Sequence, residues 1–515
     1  MTESPNRDTD VLVVGAGPTG LVLALWLARL GVRVRLIDKT AEPGTTSRAL
    51  AVQARTLEFY RQLGFADAVV ARGHQTIAVN LWVAGHHASR AVFGELGAGL
   101  SPYPYALVFP QDEHERLLIA QLAQLGLHVE RQTELLAFEE KGDRIVAHLK
   151  RPDGSPETCS AAYLAGCDGA HSIVRQILQL DFPGGTYDHL FYVADVEAAG
   201  PVMNGELHVA LDRTDFVAVF PLRDPSRARL VGTIRDHAAQ HPENLTWNDV
   251  SQRALAGLRI EPKKINWFST YRVHHRVASH FRKGRAFILG DAGHVHSPVG
   301  GQGMNTGIGD SVNLAWKLAA VLHGRAGPAL LDTYEPERIA FARRLVATTD
   351  RAFTGVTSPS FIARLIRLRL APALMPVFLQ FKIFRRLMFR TVSQTILNYR
   401  RSSLSEGHAG SIQGGDRLPW IQPEPGGPDN FAPLQSLDWQ VHIYGDPAPE
   451  INSVCAAWKL PVHVFPWRTE MSRRGLDRDA VYLIRPDGYV ALADPAASPK
   501  SLTTYLDSRD ISLTT

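Results

Sequence analysis

Glycines and carboxylates, rather than a nucleophile paired with a base, are the residues of this chain whose spacing could do chemistry. Gly15-Ala-Gly17-Pro-Thr-Gly20 follows an apolar run at 10–14 and leads into a helical run at 21–30 that stops at Gly31. A second strand, 32–37, is expected to deliver Asp38 at its end. Together they predict a strand, a tight turn, a helix and a parallel strand closed by an acid. The glycines differ in what they do, for Gly15 permits the turn, Gly17 lets a pyrophosphate approach the backbone, and Gly20 lets the helix pack on the strand. The free N–H groups and positive dipole end at the helix start suit phosphate, and Asp38 can accept hydrogen bonds from a ribose diol. The pattern does not distinguish one dinucleotide from another.

Two later stretches repeat the theme. Tyr163-Leu-Ala-Gly-Cys-Asp168-Gly169-Ala-His-Ser172-Ile-Val-Arg175 predicts a strand, a turn at Asp168-Gly169 and a helix start. A strand at 285–289 then precedes Gly290-Asp291-Ala-Gly-His294-Val-His296-Ser-Pro298-Val-Gly300-Gly301-Gln302-Gly303-Met304-Asn305, and a helix follows through Trp316. Four of the residues 300–307 are glycine, so this backbone must lie close to something. An amide-rich loop feeding a helix start is a good host for developing negative charge.

The three motifs, in this order and context, resemble those of the single-component FAD-dependent aromatic hydroxylases, the group typified by para-hydroxybenzoate hydroxylase and phenol hydroxylase. The resemblance runs over roughly 8–350 and more weakly to the C-terminus. It implies that Asp38 binds the adenosine ribose, that Asp291 binds the ribityl chain of FAD, and that Asp168-Gly169 supports both FAD and the nicotinamide cofactor. Pro298 and the loop Gly300, Gly301, Gln302, Gly303, Met304 and Asn305 resemble the segment beside the isoalloxazine ring. Arg48 resembles an arginine that reaches the FAD phosphates, and Gln111 a glutamine near the flavin chain. His294 stands where this motif commonly has histidine and is expected to orient the loop; neither it nor His296 is assigned as a catalytic base.

The same resemblance implies the reaction. NADH or NADPH would reduce FAD, the reduced flavin would react with O2, and a flavin C4a-hydroperoxide would hydroxylate a phenolic or polycyclic aromatic substrate. The cofactor supplies the difficult chemistry, which accounts for the lack of a nucleophile and base pair. Epoxidation or Baeyer–Villiger insertion at the same flavin site, a non-oxygenating reductase, and a non-enzymatic flavin or aromatic-ligand binding protein are the competing readings.

The fold class expected is α/β: a Rossmann-like FAD-binding domain with an inserted, mostly antiparallel substrate sheet and a C-terminal thioredoxin-like domain. The expected boundaries are 1–74, 109–187 and 272–350 for the FAD domain, 75–108 and 188–271 for the sheet, 351–410 for a helical connector, and 411–515 for the last domain. Cys455 has no CxxC partner, so packing or dimerisation, not redox activity, is expected there. At 515 residues, 45% hydrophobic and 21% charged, the chain suits a multidomain globular protein. Three cysteines in no framework or zinc pattern point to the cytoplasm and to no metal site. The uncharged stretch 11–28 is broken by glycines and proline, which argues against a membrane span.

A net charge of +4 is too slight to propose nucleic acid as a partner, yet residues 351–405 hold ten Lys or Arg and no Asp or Glu. Cations alternating with apolar residues there suit an anionic membrane surface. They equally suit helices packed on the FAD domain or on a dimer partner, and that second arrangement is the one expected, because similar helices follow the third motif in the family.

Overall fold

The computed structural model describes residues 9–44, 49–211, 216–234, 245–250, 252–297, 300–357 and 360–513. Arg48 and Pro298 lie outside these.

A mostly parallel sheet carries the three motifs. Thr9–Val14 takes its centre, flanked in parallel by Val34–Ile37 and Pro156–Gly166; Val129–Glu130 lies beyond the first, Ala286–Ile288 beyond the second. Buried runs such as Val11 to Val14 are apolar on both faces because helices cover both. The register is what matters for function. Val14 stands beside Ile37 and Gly166, and Gly166 beside Ile288, so four strands end level with one another. Gly15, Asp38, Asp168 and Gly290 therefore emerge at the same edge, the carboxyl edge, where the sequence runs away from the central strand in both directions and ligands bind in such sheets.

The helix Pro18–Arg29 has proline in its first turn and is buried from Gly20 to Leu27, which explains why a charge-free stretch occurs there: it is core, wedged against the helix Gly303–Leu322. Gly307 makes that approach possible, since a Cβ on it would stand 2.4 Å from Thr19 Oγ1. No helix among the described residues is long and apolar enough to cross a membrane.

A second sheet of eight strands runs His294–Val295, Glu261–Val277, Gly184–Ala199, Arg227–Ile234, Phe216–Pro221, Leu207–Leu211, Ala78–Val83, His86–Val92, antiparallel except between Leu207–Leu211 and Ala78–Val83. Its outermost strand belongs to the third motif: Val277 pairs with His294 and Arg276 with Val295. Within 75–108, only Ala78–Val83 and His86–Val92 join this sheet; His74–Thr76 and Ala106–Val108 form a small sheet with Ala51–Val52.

The C-terminal part is a six-stranded mixed sheet, ordered Ile412–Gln413, Glu406–Ala409, Val490–Asp494, Val481–Ile484, Gln440–Tyr444, Val462–Phe465, with helices Pro449–Ala457 and Pro499–Ser508. It packs on the nucleotide-type domain through Trp439, whose ring meets that of Trp316 edge-on at 5.6 Å. Between the two parts lie the helices Phe361–Leu365, Ala371–Phe378 and Lys382–Val392. Much of their apolar surface faces outward; Phe361 is 78% and Ile383 83% exposed.

Candidate functional site

At the first turn, Gly15 has φ +101°, and a Cβ there would lie 2.4 Å from the carbonyl oxygen of Cys167; one on Gly20 would lie 1.9 Å from that of Gly15. Both positions are closed to any side chain. Gly17 differs: a Cβ there would meet nothing within 4 Å, so its backbone borders open space. The Asp38 carboxylate leans on this turn, accepting the Ala16 N–H at 2.7 Å and the Thr40 N–H at 2.8 Å.

Asp168 lies against the same turn, its Cα 2.8 Å from the Cβ that Gly15 would carry. One of its oxygens accepts the Val174 N–H at 3.1 Å; the other, Oδ1, is buried with no hydrogen-bond partner among the described residues. Burial pushes this carboxyl up, against the Ser172 hydroxyl and nearby N–H groups that favour the charged form. A buried acceptor without a donor is costly, which makes Oδ1 a place for a ligand's donor. Gly169 follows with φ +78° and open space around it. Arg175 links this motif to the third, donating to the carbonyls of Ala170 at 2.7 Å and Ala292 at 2.8 Å.

Gly290, with φ +57°, rests on the start of the first helix, since a Cβ would stand 2.6 Å from Thr19 Oγ1. Its N–H donates to Asp310 Oδ2 at 3.0 Å, and His294 Nε2 lies 2.7 Å from the same oxygen. Arg338 donates to the other Asp310 oxygen at 2.6 Å, and also to the Thr306 carbonyl and the Tyr399 hydroxyl. Burial would raise the Asp310 carboxyl, but Arg338 and His294 outweigh it and hold it below the usual range. Sequence reasoning missed Asp310; the signal was an acid in a run, 303–322, that is otherwise free of acids. Asp291, one residue on from Gly290, is exposed in the short turn Gly290–Ala292.

In the glycine loop, Gly300 and Gly301 have φ +78° and +61°. The Asn305 side chain is turned into the protein. It accepts the Gln53 N–H at 2.9 Å and the Thr56 hydroxyl at 2.7 Å, and donates to the carbonyls of Ala51 and Gly301. Gln53 donates in turn to the Gly300 carbonyl at 3.1 Å. Gln302 is likewise engaged, by Gln394 at 3.1 Å and by the Thr391 carbonyl at 3.3 Å. Among the described residues from Gly300 on, what the loop has left to offer outward is backbone, as at Gly303; Met304 packs on the core. Gln53, Thr56 and Gln394 are further residues that the motifs did not reveal. His296 is half-buried, with its shielded Nε2 unpartnered among the described residues, and desolvation pushes it down to about 4, so it is uncharged at neutral pH.

Gln111 begins the helix Gln111–Gln124, accepts the Ala49 N–H at 3.1 Å and donates to Glu115 at 2.8 Å. The structure thus gathers Gly15, Gly17, Gly20, Asp38, Asp168, Gly169 and Gly290 at one sheet edge and anchors the loop containing Gly300 and Asn305 to the segment 51–56. A dinucleotide fits this frame: Gly17 leaves backbone open to phosphate and Asp168 Oδ1 awaits a donor.

Comparison with known proteins names the dinucleotide. The family described as FAD binding domain matches residues 8–349. The 6-methylpretetramide 4-monooxygenase of Streptomyces rimosus is 39% identical over 391 residues, 75% of this chain and 68% of that protein. A flavin-dependent monooxygenase of Mycobacteroides abscessus is 31% identical over 522 residues, 96% of this chain and 99% of that one. A crystal structure of aklavinone-11 hydroxylase with FAD and aklavinone superposes with a TM-score of 0.78 at 26% identity, covering 99% and 100% of the two chains. This chain belongs to the FAD binding domain family, as an NAD(P)H-using flavoprotein monooxygenase of the aromatic-hydroxylase kind.

Proposed function

We propose that the chain hydroxylates a phenolic or polycyclic aromatic compound bound between the antiparallel sheet and the glycine loop, with O2 as co-substrate. The observation that carries this reading is the suture between the two layers, in which the strand His294–Val295 of the cofactor loop completes the antiparallel sheet. A ligand lying on that sheet would also lie beside the loop. That 6-methylpretetramide and aklavinone are acted on by similar proteins supports a polycyclic substrate.

Bound FAD would supply the redox chemistry, taking a hydride from NAD(P)H and delivering one oxygen atom of O2 to the ring. The chain's residues would hold it: Gly15, Gly17 and Gly20 at the pyrophosphate with Arg48, Asp38 at the adenosine ribose, Gln111 and Asp291 along the ribityl side, and Asp168-Gly169 toward the nicotinamide as well. Pro298 and the Gly300 to Asn305 loop would lie beside the ring, where backbone N–H groups at the start of Gly303–Leu322 favour negative charge. His294 orients the loop in this scheme, because its Nε2 is committed to Asp310.

The domain boundaries proposed are 1–74, 109–187 and 272–350; 75–108 and 188–271; 351–410; and 411–515. A thioredoxin-like reading of the last is supported by its four main strands, which occur in space as second, first, third and fourth in chain order with the third antiparallel to its neighbours. Burial pushes the Cys455 thiol up to about 11, so this domain would act in packing and not in thiol exchange. All three cysteines are free and buried, which supports a cytoplasmic setting.

The experiment is a screen of phenols and fused-ring aromatics for stimulation of NAD(P)H oxidation in air by the yellow, purified protein. A compound that raises the rate several-fold and leaves the reaction hydroxylated is the expected result. Flavin reduction with no oxygenated product from any of them would overturn the hydroxylase reading in favour of a reductase.

A further inference from the structure

Among the described residues, eleven of the fifteen large hydrophobic side chains that stand exposed fall within residues 361–387. They include Phe361 at 78%, Ile362 at 69%, Phe381 at 59%, Ile383 at 83% and Leu387 at 51% exposure. Leaving such side chains in water forgoes the hydrophobic stabilisation that their burial would bring. A soluble monomer rarely tolerates a contiguous patch of this kind without a partner.

The helix Lys382–Val392 shows how the patch is oriented. Phe389 anchors it inward, 3% exposed and packed so tightly on Gly97 that a Cβ there would come within 2.6 Å of the ring. Ile383 and Leu387, four residues apart, share a different side, and Arg386 and Arg390 follow each of them by three residues on that same side. Apolar side chains and cations are therefore displayed together. The surrounding segment, 351–405, contains ten Lys or Arg and no acid of its own, and of these Arg400 pairs with Asp416 outside it. None of Arg369, Lys382, Arg385, Arg386 and Arg390 forms an ion pair among the described residues.

Charge decides between the two occupants that an apolar face of this size could have. In a two-fold dimer the same patch meets itself, which would set one all-cationic segment against another. A bilayer rich in anionic lipid meets both needs at once, because its acyl boundary takes the apolar side chains and its headgroups take the cations. We propose that the outward face of residues 361–390 docks this enzyme on an anionic membrane surface.

The test uses the full-length, FAD-loaded protein and vesicles of phosphatidylcholine with or without phosphatidylglycerol. Co-sedimentation with the anionic vesicles at low salt, falling as salt is raised and weak on the neutral ones, is expected. Ile383→Asp should weaken it about tenfold or more while FAD content stays unchanged, and Arg386→Glu should weaken it and flatten the salt dependence. Three results would overturn the proposal. They are no association with anionic vesicles at low salt, equal association with neutral ones, or a solution dimer that Ile383→Asp converts to monomer in a protein that ignores vesicles, which would make the face an interface between copies.

Discussion

An Asp310→Ala variant is expected to purify largely without FAD and to lose about 3–5 kcal/mol of stability, the usual cost of removing one partner from a buried ionic contact. Three groups converge on this carboxylate: the Gly290 N–H, His294 and Arg338. Truncation leaves the Arg338 guanidinium, 1% exposed, with the Thr306 carbonyl and the Tyr399 hydroxyl as its only hydrogen-bond partners among the described residues, neither of which is charged. It also frees the turn that carries Asp291. If about 3 kcal/mol of the loss appears in cofactor binding, FAD affinity falls about a hundredfold. Asp310→Asn keeps the shape but not the charge and should fall between. Fluorescence titration with FAD and urea unfolding measure the two effects, and a variant that keeps wild-type flavin content and midpoint would refute this role for Asp310.

An Arg485→Ala change should be as damaging to stability while acting from the C-terminal sheet, just past the strand Val481–Ile484. Arg485 is fully buried and bridges Glu337 at 2.8 and 3.0 Å and Asp487 at 2.6 and 3.0 Å. Glu337 also receives Lys317 at 2.9 Å, Asn313 at 2.6 Å and Ser402 at 2.6 Å, and Trp316 donates to Asp487 at 3.2 Å. The cluster therefore fastens the C-terminal hairpin to the helix Gly303–Leu322, whose first turn faces the cofactor edge. Burial, with Arg485 nearby, pushes the Lys317 ammonium down to about 8 against the pull of Glu337; it stays mostly charged at neutral pH, but its bonds are already made to Glu337 and Asn313. A loss of about 3–5 kcal/mol is expected in urea unfolding. Arg485→Lys should recover little of it, because one ammonium cannot serve two carboxylates in fork geometry. A loss below about 1 kcal/mol, the scale of an exposed pair, would show that the cluster does not bear on stability.

Neither Asp310 nor Arg485 was disclosed by the motifs, and the reason is physical. Gly15, Gly20 and Gly290 are legible because their constraint is local: a left-handed φ or a neighbour under 3 Å allows only glycine, and the acid that follows each strand end is adjacent in sequence. The parallel sheet is legible for the same reason, since continuous apolar runs mark strands covered on both faces. Apart from Asp487 beside Arg485, the partners through which Asp310, Arg338 and Arg485 act lie 16 to 148 residues away, and nothing in their own neighbourhood names those partners. Asn305 and Gln302 stood inside the recognised loop, yet their side chains turn inward to Gln53, Thr56 and Gln394, so that pattern pointed to the loop without telling which atoms it presents. The segment 351–401 showed its charge pattern in the sequence, whereas the outward orientation of Ile383 follows only from how Phe389 seats the helix on Gly97.

Oxygen transfer at the edge where the three motifs meet is the property on which everything else depends. The decisive measurement is mass spectrometry of product formed from a phenol that stimulates NAD(P)H oxidation, with the reaction run under isotopically heavy O2 in ordinary water. One heavy oxygen atom in the product, dependent on both FAD and NAD(P)H, is the predicted result. Product oxygen drawn entirely from water, or hydroxylation that continues after the FAD has been removed, would contradict it.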